Sequence, residues 1–249
     1  LDINNNGAVI GAAGLAGIGQ GPQVVQSPGS LTMAIGGGVN GVTTTPQSVT
    51  TAAFSVSGNG SALAMDGAGN LYIADDNASN NCLAYKVNAI TNQIVAIAGD
   101  YLFTGTGTAP STTPEPALGS STCPQGIAVD GAGNVYIVDA KNNLVTTQGA
   151  QYPGVVEEIS AATGQIFVMA GGGSNAPSTT AQTATSVALS GVNSLATDKA
   201  GNLYISDFFN NLVEKVTPAG QLSIFAGGGS TPVSTTPQAA TSAALNGPT

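Results

Sequence analysis

Four aspartates next to asparagine-rich stretches have the residue types of a metal site. Asp75 and Asp76, Asp139 and Asp207 end three similar apolar runs, and the stretches NASNN, AKNN and FFNN follow them. Carboxylate and amide oxygens are the ligands that Ca²⁺ prefers, although this spacing matches no EF-hand loop. Aspartate and asparagine also cap tight turns by accepting hydrogen bonds from backbone N–H groups. The pattern favours capping, and calcium binding is the alternative.

Other catalytic chemistry has few candidate residues. The sequence contains no histidine, which excludes His-based acid–base and nucleophile systems and the usual zinc ligand sets. Glu157 and Glu158 form an adjacent carboxylate pair, but on a strand they would point to opposite faces, so we expect them to be solvated. The GGG stretches at 36–38, 171–173 and 227–229 precede no helical pattern, so they do not predict a phosphate loop. We therefore expect no catalytic residue and no cofactor.

The composition excludes further classes of function. The 249 residues include only 7% charged side chains and no arginine, and the net charge is −9. Because nucleic acids and anionic membranes attract basic surfaces, neither is an expected partner. No apolar run reaches the length that spans a bilayer, and we interpret residues 7–19 as part of the fold rather than a targeting remnant. A surface of Ser, Thr, Asn and Gly fits an exported protein.

One ten-residue stretch recurs three times, as DGAGNLYIAD (66–75), DGAGNVYIVD (130–139) and DKAGNLYISD (198–207). The aspartate at its start can accept hydrogen bonds from the following N–H groups, and the glycine supplies the positive φ of a short hairpin loop. We assign a structural turn role to these positions in each repeat: Asp66 and Gly69, Asp130 and Gly133, Asp198 and Gly201. One tyrosine per repeat should pack between sheets: Tyr72, Tyr136 and Tyr204.

Each repeat contains four short apolar runs bounded by Gly, Asn and Pro, which is typical of antiparallel strands. Four strands repeated at a regular period predict an all-β protein, a β-propeller with one four-stranded blade per repeat. We expect one propeller domain over 1–249, with three clear blades, an incomplete N-terminal blade and a terminal loop. Their approximate ranges are 1–38 (incomplete), 60–100, 125–172, 192–229 and the loop 230–249.

The pattern GIAVDGAGNVYIVD…NNLV…EEI…TGQIFVMAGGG resembles the NHL repeat of propeller blades, in its bacterial exported form. The resemblance covers residues 60–249 well and implies the fold. Some NHL-type enzymes, such as the peptidyl-hydroxyglycine lyase, use histidine zinc ligands in a six-bladed ring, and this chain has none. Lactonase-like propellers bind calcium through acids on several blades, whereas the innermost runs here offer almost no acid. Activity is therefore not carried over from the family.

The two cysteines are placed to join neighbouring blades. Cys82 opens a third strand, and Cys123 lies in the loop that enters the next blade. In a four-stranded blade both connections emerge on the same face of the disc, which favours a Cys82–Cys123 disulfide. A reactive thiol pair is the alternative, although no histidine or arginine is nearby to lower a thiol pKa. Phe208 and Phe209 lie in a loop on that face, as an exposed contact or packed under the loop.

The two ends of the sequence complement each other. Residues 22–38 have the pattern of a third and a fourth strand, so the first blade lacks its innermost strand, while the final linker ends at AALNGPT, where an innermost strand should begin. The chain is either an excerpt of a longer propeller or is completed by strand addition from a neighbouring copy. A closed four-bladed ring is a further possibility, although six blades are usual in this family.

These features predict a non-catalytic, extracellular structural or adhesive protein that associates with copies of itself, for example as a filament subunit. The alternative is a propeller excerpted from a longer chain that binds a ligand, such as a surface glycan or a protein, or that acts as a calcium-dependent lactonase or lyase. Acidic and amide side chains clustered at a central channel would favour the enzyme. Strand exchange between copies would favour the filament.

Overall fold

The structure is a computed structural model that describes residues 4–5, 8–9, 35, 40–53, 62–77, 81–100, 111–139 and 153–249. The described residues form β-sheets joined by turns, with two 3₁₀ helices at Ala184–Ser186 and Ala240–Ser242. Within these ranges, no helix is long and apolar enough to cross a membrane. The all-β prediction is confirmed.

Short strands occupy the N-terminal part of the chain. They are β1 Asn4–Asn5, β2 Ala8–Val9, β3 Asn40–Gly41, β4 Gln47–Ser48 and β5 Ala52–Ala53. Strand β1 pairs with β2, β3 pairs in parallel with β5, and β4 joins a later sheet. Most of the incomplete blade predicted over 1–38 lies outside the described residues, as does the GGG stretch at 36–38.

Three antiparallel sheets of four consecutive strands follow, and we call them blades A, B and C. Blade A contains β6 Ala62–Met65, β7 Leu71–Asn77, β8 Asn81–Val87 and β9 Gln93–Asp100. After the linker strand β10 Glu115–Pro116, blade B contains β11 Pro124–Val129, β12 Val135–Asp139, β13 Pro153–Ile159 and β14 Gln165–Gly171. After β15 Gln182–Thr183 and β16 Leu189–Ser190, blade C contains β17 Val192–Thr197, β18 Leu203–Asp207, β19 Leu212–Val216 and β20 Gln221–Gly227.

The blades pack face to face in chain order. The first strands β6, β11 and β17 lie next to one another, so they are innermost and the fourth strands are outermost. Alternate residues of each strand point to opposite faces, which gives each blade a front that faces the preceding blade and a back that faces the following one. One apolar cluster joins the back of blade A to the front of blade B, and a second joins B to C. This arrangement is that of consecutive propeller blades.

Each linker adds a short fifth strand to the outer edge of the blade that follows it. Strand β4 pairs with β9, β10 with β14, and β15 with β20, all antiparallel. Sequence analysis did not predict these strands, because they are two residues long and lie within Thr/Pro-rich stretches. The linkers therefore hold the outer rim together as well as connecting the blades.

Candidate functional site

The repeated aspartate organises the same turn in all three blades. In blade B, Oδ1 of Asp130 accepts the N–H groups of Ala132 and Asn134, both at 2.9 Å. Its Oδ2 accepts Asn134 Nδ2 at 2.9 Å and the Tyr136 hydroxyl at 3.1 Å. Asp66 and Asp198 accept the equivalent bonds. The glycines of these turns have positive φ: 82° at Gly69, 87° at Gly133 and 77° at Gly201.

These turn carboxylates have a structural role, because they accept the hydrogen bonds that hold the turns. Burial raises the pKa of Asp66, but hydrogen bonds from Asn70, Tyr72 and Ala68 together outweigh it and hold the pKa below its usual value. At Asp198, hydrogen bonds led by the one from Asn202 lower the pKa to about 2. Because an ionised carboxylate accepts these bonds better than a protonated one, the turns need the charged form. None of this leaves the aspartates free to act on a substrate.

In blades B and C, the aspartate at the end of the second strand fixes the chain that enters the blade. Asp139 Oδ1 accepts the N–H of Cys123 at 3.0 Å. Both carboxylate oxygens of Asp207 accept the N–H of Ser190 at 3.1 Å, and Oδ2 also accepts Asn210 Nδ2 at 2.8 Å. This geometry is that of capping. Among the described residues, no three acidic or cysteine side chains are grouped as metal ligands.

Cys82 and Cys123 form a disulfide, with their Cα atoms 4.6 Å apart. The bond connects β8 of blade A to the residue that precedes β11 of blade B, so it fastens the two blades near their shared end. Both cysteines are fully buried, and neither is available as a thiol nucleophile.

The expectation that Glu157 and Glu158 are solvated is wrong. Glu157 is 2% exposed, because its side chain points to the front of blade B and is covered by blade A, and Glu158 on the back is half-buried. The two do point to opposite faces, because neighbours on a strand alternate. The burial comes from contact with another blade, and no local sequence pattern encodes such a contact. The sequence alone therefore could not reveal it.

Glu157 and the equivalent Glu214 of blade C are buried acids that sequence reasoning missed. Burial, followed by the negative charge of Asp139, raises the pKa of Glu157 to about 8. Burial, followed by Asp207, raises the pKa of Glu214 to about 9. Both glutamates are therefore neutral acids at neutral pH. Blade A has Tyr85 at this position, where its hydroxyl donates to Asp75 Oδ2 at 3.2 Å, so all three blades place a protonated group beside the strand-end aspartate.

A groove of about 810 Å³ separates the outer parts of blades A and B. Lys86 lies on one wall, with Nζ 5.3 Å from the centroid of the Tyr72 ring, and Asp130 and Ile159 belong to the other wall. The groove combines a cation, two turn carboxylates and apolar walls. Its size and mixed lining suit a small ligand.

The back of blade C is uncovered. Tyr204 packs edge-on against Phe225 with the ring centroids 5.0 Å apart, and Phe225 is 48% exposed. The equivalents of Phe225 on the backs of blades A and B, Ile97 and Met169, pack into the next blade. Tyr72 and Tyr136 are buried by a following blade, whereas Tyr204 is half-exposed. The back of blade C thus has the composition of an interface without a partner blade on it.

Two apolar side chains on the front of blade A are exposed, both on its innermost strand. Leu63 is 66% exposed and Met65 is 58% exposed, whereas the equivalent Ile127 and Val129 of blade B are 5% and 8% exposed beneath blade A. The rest of the front of blade A packs against Val42, Val49 and Ala52. Only its innermost strand therefore presents an exposed apolar surface.

Phe208 and Phe209 lie beside the linkers on the face that carries the disulfide. They are 37% and 50% exposed, and their rings meet edge-on at 5.1 Å. Phe208 contacts Gly247 and Phe209 contacts Gly191, and a Cβ at either glycine would collide with the ring. Each ring is thus packed against the loop on one side and exposed to solvent on the other, which combines the two alternatives of an exposed contact and packing under the loop.

No protein-family model matches the sequence, and no curated protein matches it either. Solved structures resemble it at low identity. A structural genomics protein of unknown function from Bacteroides thetaiotaomicron is 20% identical, with 75% of this chain and 40% of that chain aligned and a TM-score of 0.45. An auxiliary nutrient binding protein from Bacteroides ovatus is 15% identical, with 68% and 36% aligned and a TM-score of 0.39.

A PQQ-bound aldose sugar dehydrogenase from Streptomyces coelicolor is also similar, at 14% identity, with 72% of this chain and 49% of that chain aligned and a TM-score of 0.34. This chain therefore spans less than half the length of each of these three proteins. At such values the likenesses do not bear on function.

Proposed function

We propose that this chain is a non-catalytic, exported structural protein of the NHL-repeat type whose copies associate head to tail. The observation that carries the proposal is the exposed back of blade C, where Phe225 lies on the outermost strand. In a heterologous contact of this kind, two different surfaces meet, and the contact repeats into a ring or a filament. The back of blade C in one copy would meet the N-terminal side of the next.

The internal blade contacts support this pairing. The backs of blades A and B each pack on the front of the following blade through apolar side chains. Blade C presents the same kind of back, with Phe225 exposed on it, so a contact between copies would use one half of the interblade interface again. Burying exposed apolar area of this sort stabilises association by about 25 cal/mol per Å² before the entropic costs of binding.

Separate features support the other parts of the proposal. The absence of histidine from the sequence and the burial of both cysteines in a disulfide favour a non-catalytic role. Disulfides persist in oxidising compartments, which favours export. The turn repeated with the same hydrogen bonds in three blades favours the NHL assignment over other propeller types.

A single substitution tests the association. In Phe225→Asp, a charge replaces the exposed ring, and we expect oligomers seen for the unmodified protein by sedimentation velocity and electron microscopy to dissociate into single copies. Ile90→Asp is the control, because Ile90 is 89% exposed in the turn between β8 and β9 and belongs to no apolar cluster between blades. Dispersed single copies of the unmodified protein, or dissociation by both variants alike, would contradict the proposal.

Small-ligand binding in the groove between blades A and B is the second candidate. The groove volume and the Lys86 side chain over Tyr72 favour it. Native mass spectrometry of the protein as isolated would detect a bound molecule, and Lys86→Ala should release it. A protein that carries no additional mass leaves this candidate without support.

A further inference from the structure

The ammonium group of Lys86 is an unused hydrogen-bond donor in the groove between blades A and B. Lys86 is half-buried on the groove wall, with Nζ 5.3 Å from the centroid of the Tyr72 ring. This cation–π contact holds the ammonium against the wall. Nζ makes no hydrogen bond or ion pair with any of the described residues. Its N–H donors are therefore available to a ligand.

The two carboxylates of the groove have no such capacity left. Asp66 and Asp130 each accept hydrogen bonds from two backbone N–H groups, an asparagine amide and a tyrosine hydroxyl. Because an ionised carboxylate offers about four acceptor positions, both are fully used by their own turns. A cationic head group would find no free acceptor on them. Of these three charged groups, only the Lys86 ammonium can add hydrogen bonds to a ligand.

The apolar part of the groove is aliphatic. Side chains from both blades and from the linker between them line it: Val95, Ile97, Leu118, Val135 and Ile159. Among the described lining residues, Tyr72 is the aromatic one, and it is 2% exposed with Lys86 over its ring. It offers no open ring face on which a sugar or a nucleobase could stack. The walls therefore favour a flexible aliphatic ligand.

Blade B has different residues at the two positions that characterise the groove. The cross-strand pair Lys86↔Val95 on the back of blade A corresponds to Glu158↔Phe167 on the back of blade B. Blade A thus has the smaller apolar side chain and the opposite charge. Since the strands of the two blades are otherwise equivalent, the blade fold accommodates both pairs. Exchange of these residues can therefore alter the groove without altering the blade.

We infer that the groove binds a small aliphatic carboxylate, such as a free medium-chain fatty acid. The carboxylate accepts hydrogen bonds from Lys86 Nζ, which are stronger than bonds to a neutral head group because both partners are charged. The chain lies along the aliphatic walls, which removes its methylenes from water. The groove volume of about 810 Å³ lies within the range of about 300–1,000 Å³ that is usual for small-molecule sites. This inference names the ligand class of the second candidate function and rests on it, and it is independent of self-association.

The first test compares ligands by isothermal titration calorimetry on the unmodified protein. Decanoate should bind about tenfold or more tightly than decanol, which has the same chain without the charge. Among octanoate, decanoate and dodecanoate, the affinity should rise by up to about fourfold for each added methylene. Decylamine has the same chain with the opposite charge and should bind more weakly than decanoate. Decylamine that binds as tightly as decanoate, or decanoate that does not bind, would overturn the inference.

The second test locates the site with variants that carry the residues of blade B. Lys86→Glu should weaken decanoate binding about tenfold or more and leave decanol binding unchanged, because it removes the donor. Lys86→Met, which removes the charge alone, should lower decanoate affinity in the same direction. Val95→Phe should weaken the binding of both ligands, because its ring fills the groove. The circular dichroism of the Glu and Phe variants should match that of the unmodified protein, since blade B contains the same residues.

Lys215→Glu is the matched control for the charge change. Lys215 lies on blade C in the equivalent position, with Nζ 5.8 Å from the centroid of the Tyr204 ring, and it is outside the groove. Its substitution changes the net charge by the same amount and should leave decanoate affinity unchanged. If Lys86→Glu has no effect on decanoate affinity, or no more effect than Lys215→Glu, the ligand does not bind in this groove and the inference is wrong.

Native mass spectrometry separates failure of this inference from failure of the groove as a ligand site. A molecule that accompanies the isolated protein, is released by Lys86→Ala and is not an aliphatic acid would overturn the ligand class while the groove stands as a site. A protein that carries no such molecule and binds neither decanoate, decanol nor decylamine would contradict both the ligand class and the second candidate function. Self-association is unaffected by either result.

Discussion

At the scale of single residues, each blade keeps a protonated group buried beside a strand-end aspartate. Blade A uses the Tyr85 hydroxyl, whereas blades B and C use Glu157 and Glu214. A buried neutral acid can donate a hydrogen bond, but the same acid ionises freely in the unfolded chain. The two glutamates therefore couple the stability of the fold to pH.

We expect the protein to be most stable near pH 4 to 5 and to lose stability as the pH rises to about 9. The pKa values of Glu157 and Glu214 are raised to about 8 and about 9 in the folded state, so their contribution is complete below the unfolded value near 4.5. It is then lost as the pH rises through the folded values, by up to about 1.4 kcal/mol per pH unit for each group. Thermal melts across this range measure the effect.

Glu157→Gln and Glu214→Gln should each flatten this pH dependence, because an amide can donate to the aspartate without ionising. Glu158→Gln is the matched control on the same strand, and it should flatten the profile less because Glu158 is only half-buried. Melting temperatures that rise between pH 5 and 9 would be incompatible with buried neutral glutamates.

At the scale of elements, the disulfide and the edge strands hold the blades together. Cys82 and Cys123 close a loop with a sequence separation of 41 residues between blades A and B. No equivalent covalent link joins blades B and C, because both cysteines of the sequence are used here. Blade C is held by packing and by the edge strand Gln182–Thr183.

Removal of the disulfide should lower the free energy of unfolding of the part of the protein that contains blades A and B. For a loop of this size, the unfolded-state entropy model gives roughly 4 kcal/mol, or about 10 °C in melting temperature. Cys82→Ser with Cys123→Ser, compared with the unmodified protein with and without reductant, measures the loss. Addition of reductant should not change the melting temperature of the double variant further. An unchanged melting temperature in the double variant would show that the bond contributes no stability.

The elements that could be predicted from the sequence are those with a local residue pattern. Glycine turns precede the apolar runs that contain Tyr72, Tyr136 and Tyr204. These strands could therefore be identified without knowing which other strands pack against them. The edge strand Glu115–Pro116 was not, because two residues next to a proline have no periodicity. The burial of Glu157 was missed for a different reason: it depends on the blade that packs on it, which lies at a long distance in sequence.

At the scale of the whole molecule, the near absence of charge determines how copies should meet. Only 7% of residues are charged, and the four cations are all lysines. Among the described residues, the back of blade C exposes Phe225, and the innermost strand of blade A exposes Leu63 and Met65. Association through them depends on the removal of apolar area from water rather than on ion pairs.

We therefore expect self-association to persist or strengthen as salt is raised from about 0.05 M to about 0.5 M, because exposed ion pairs are screened over this range and apolar contacts are not. Sedimentation velocity at several salt concentrations measures it, and the Ile90→Asp variant is the control. Dissociation at high salt would show that lysines, rather than the apolar faces, hold the copies together.

The edge strand that each linker donates to the following blade also has an evolutionary consequence. A gene segment that encoded only the four strands of a blade would lack the edge strand that pairs with the outermost strand. The segment that can be duplicated with all its pairings intact is therefore longer than the four-stranded blade. It starts in the Thr/Pro-rich linker and ends after the outermost strand. Duplication of this segment would add one blade together with its own edge strand, so chains of this type can lengthen by whole blades.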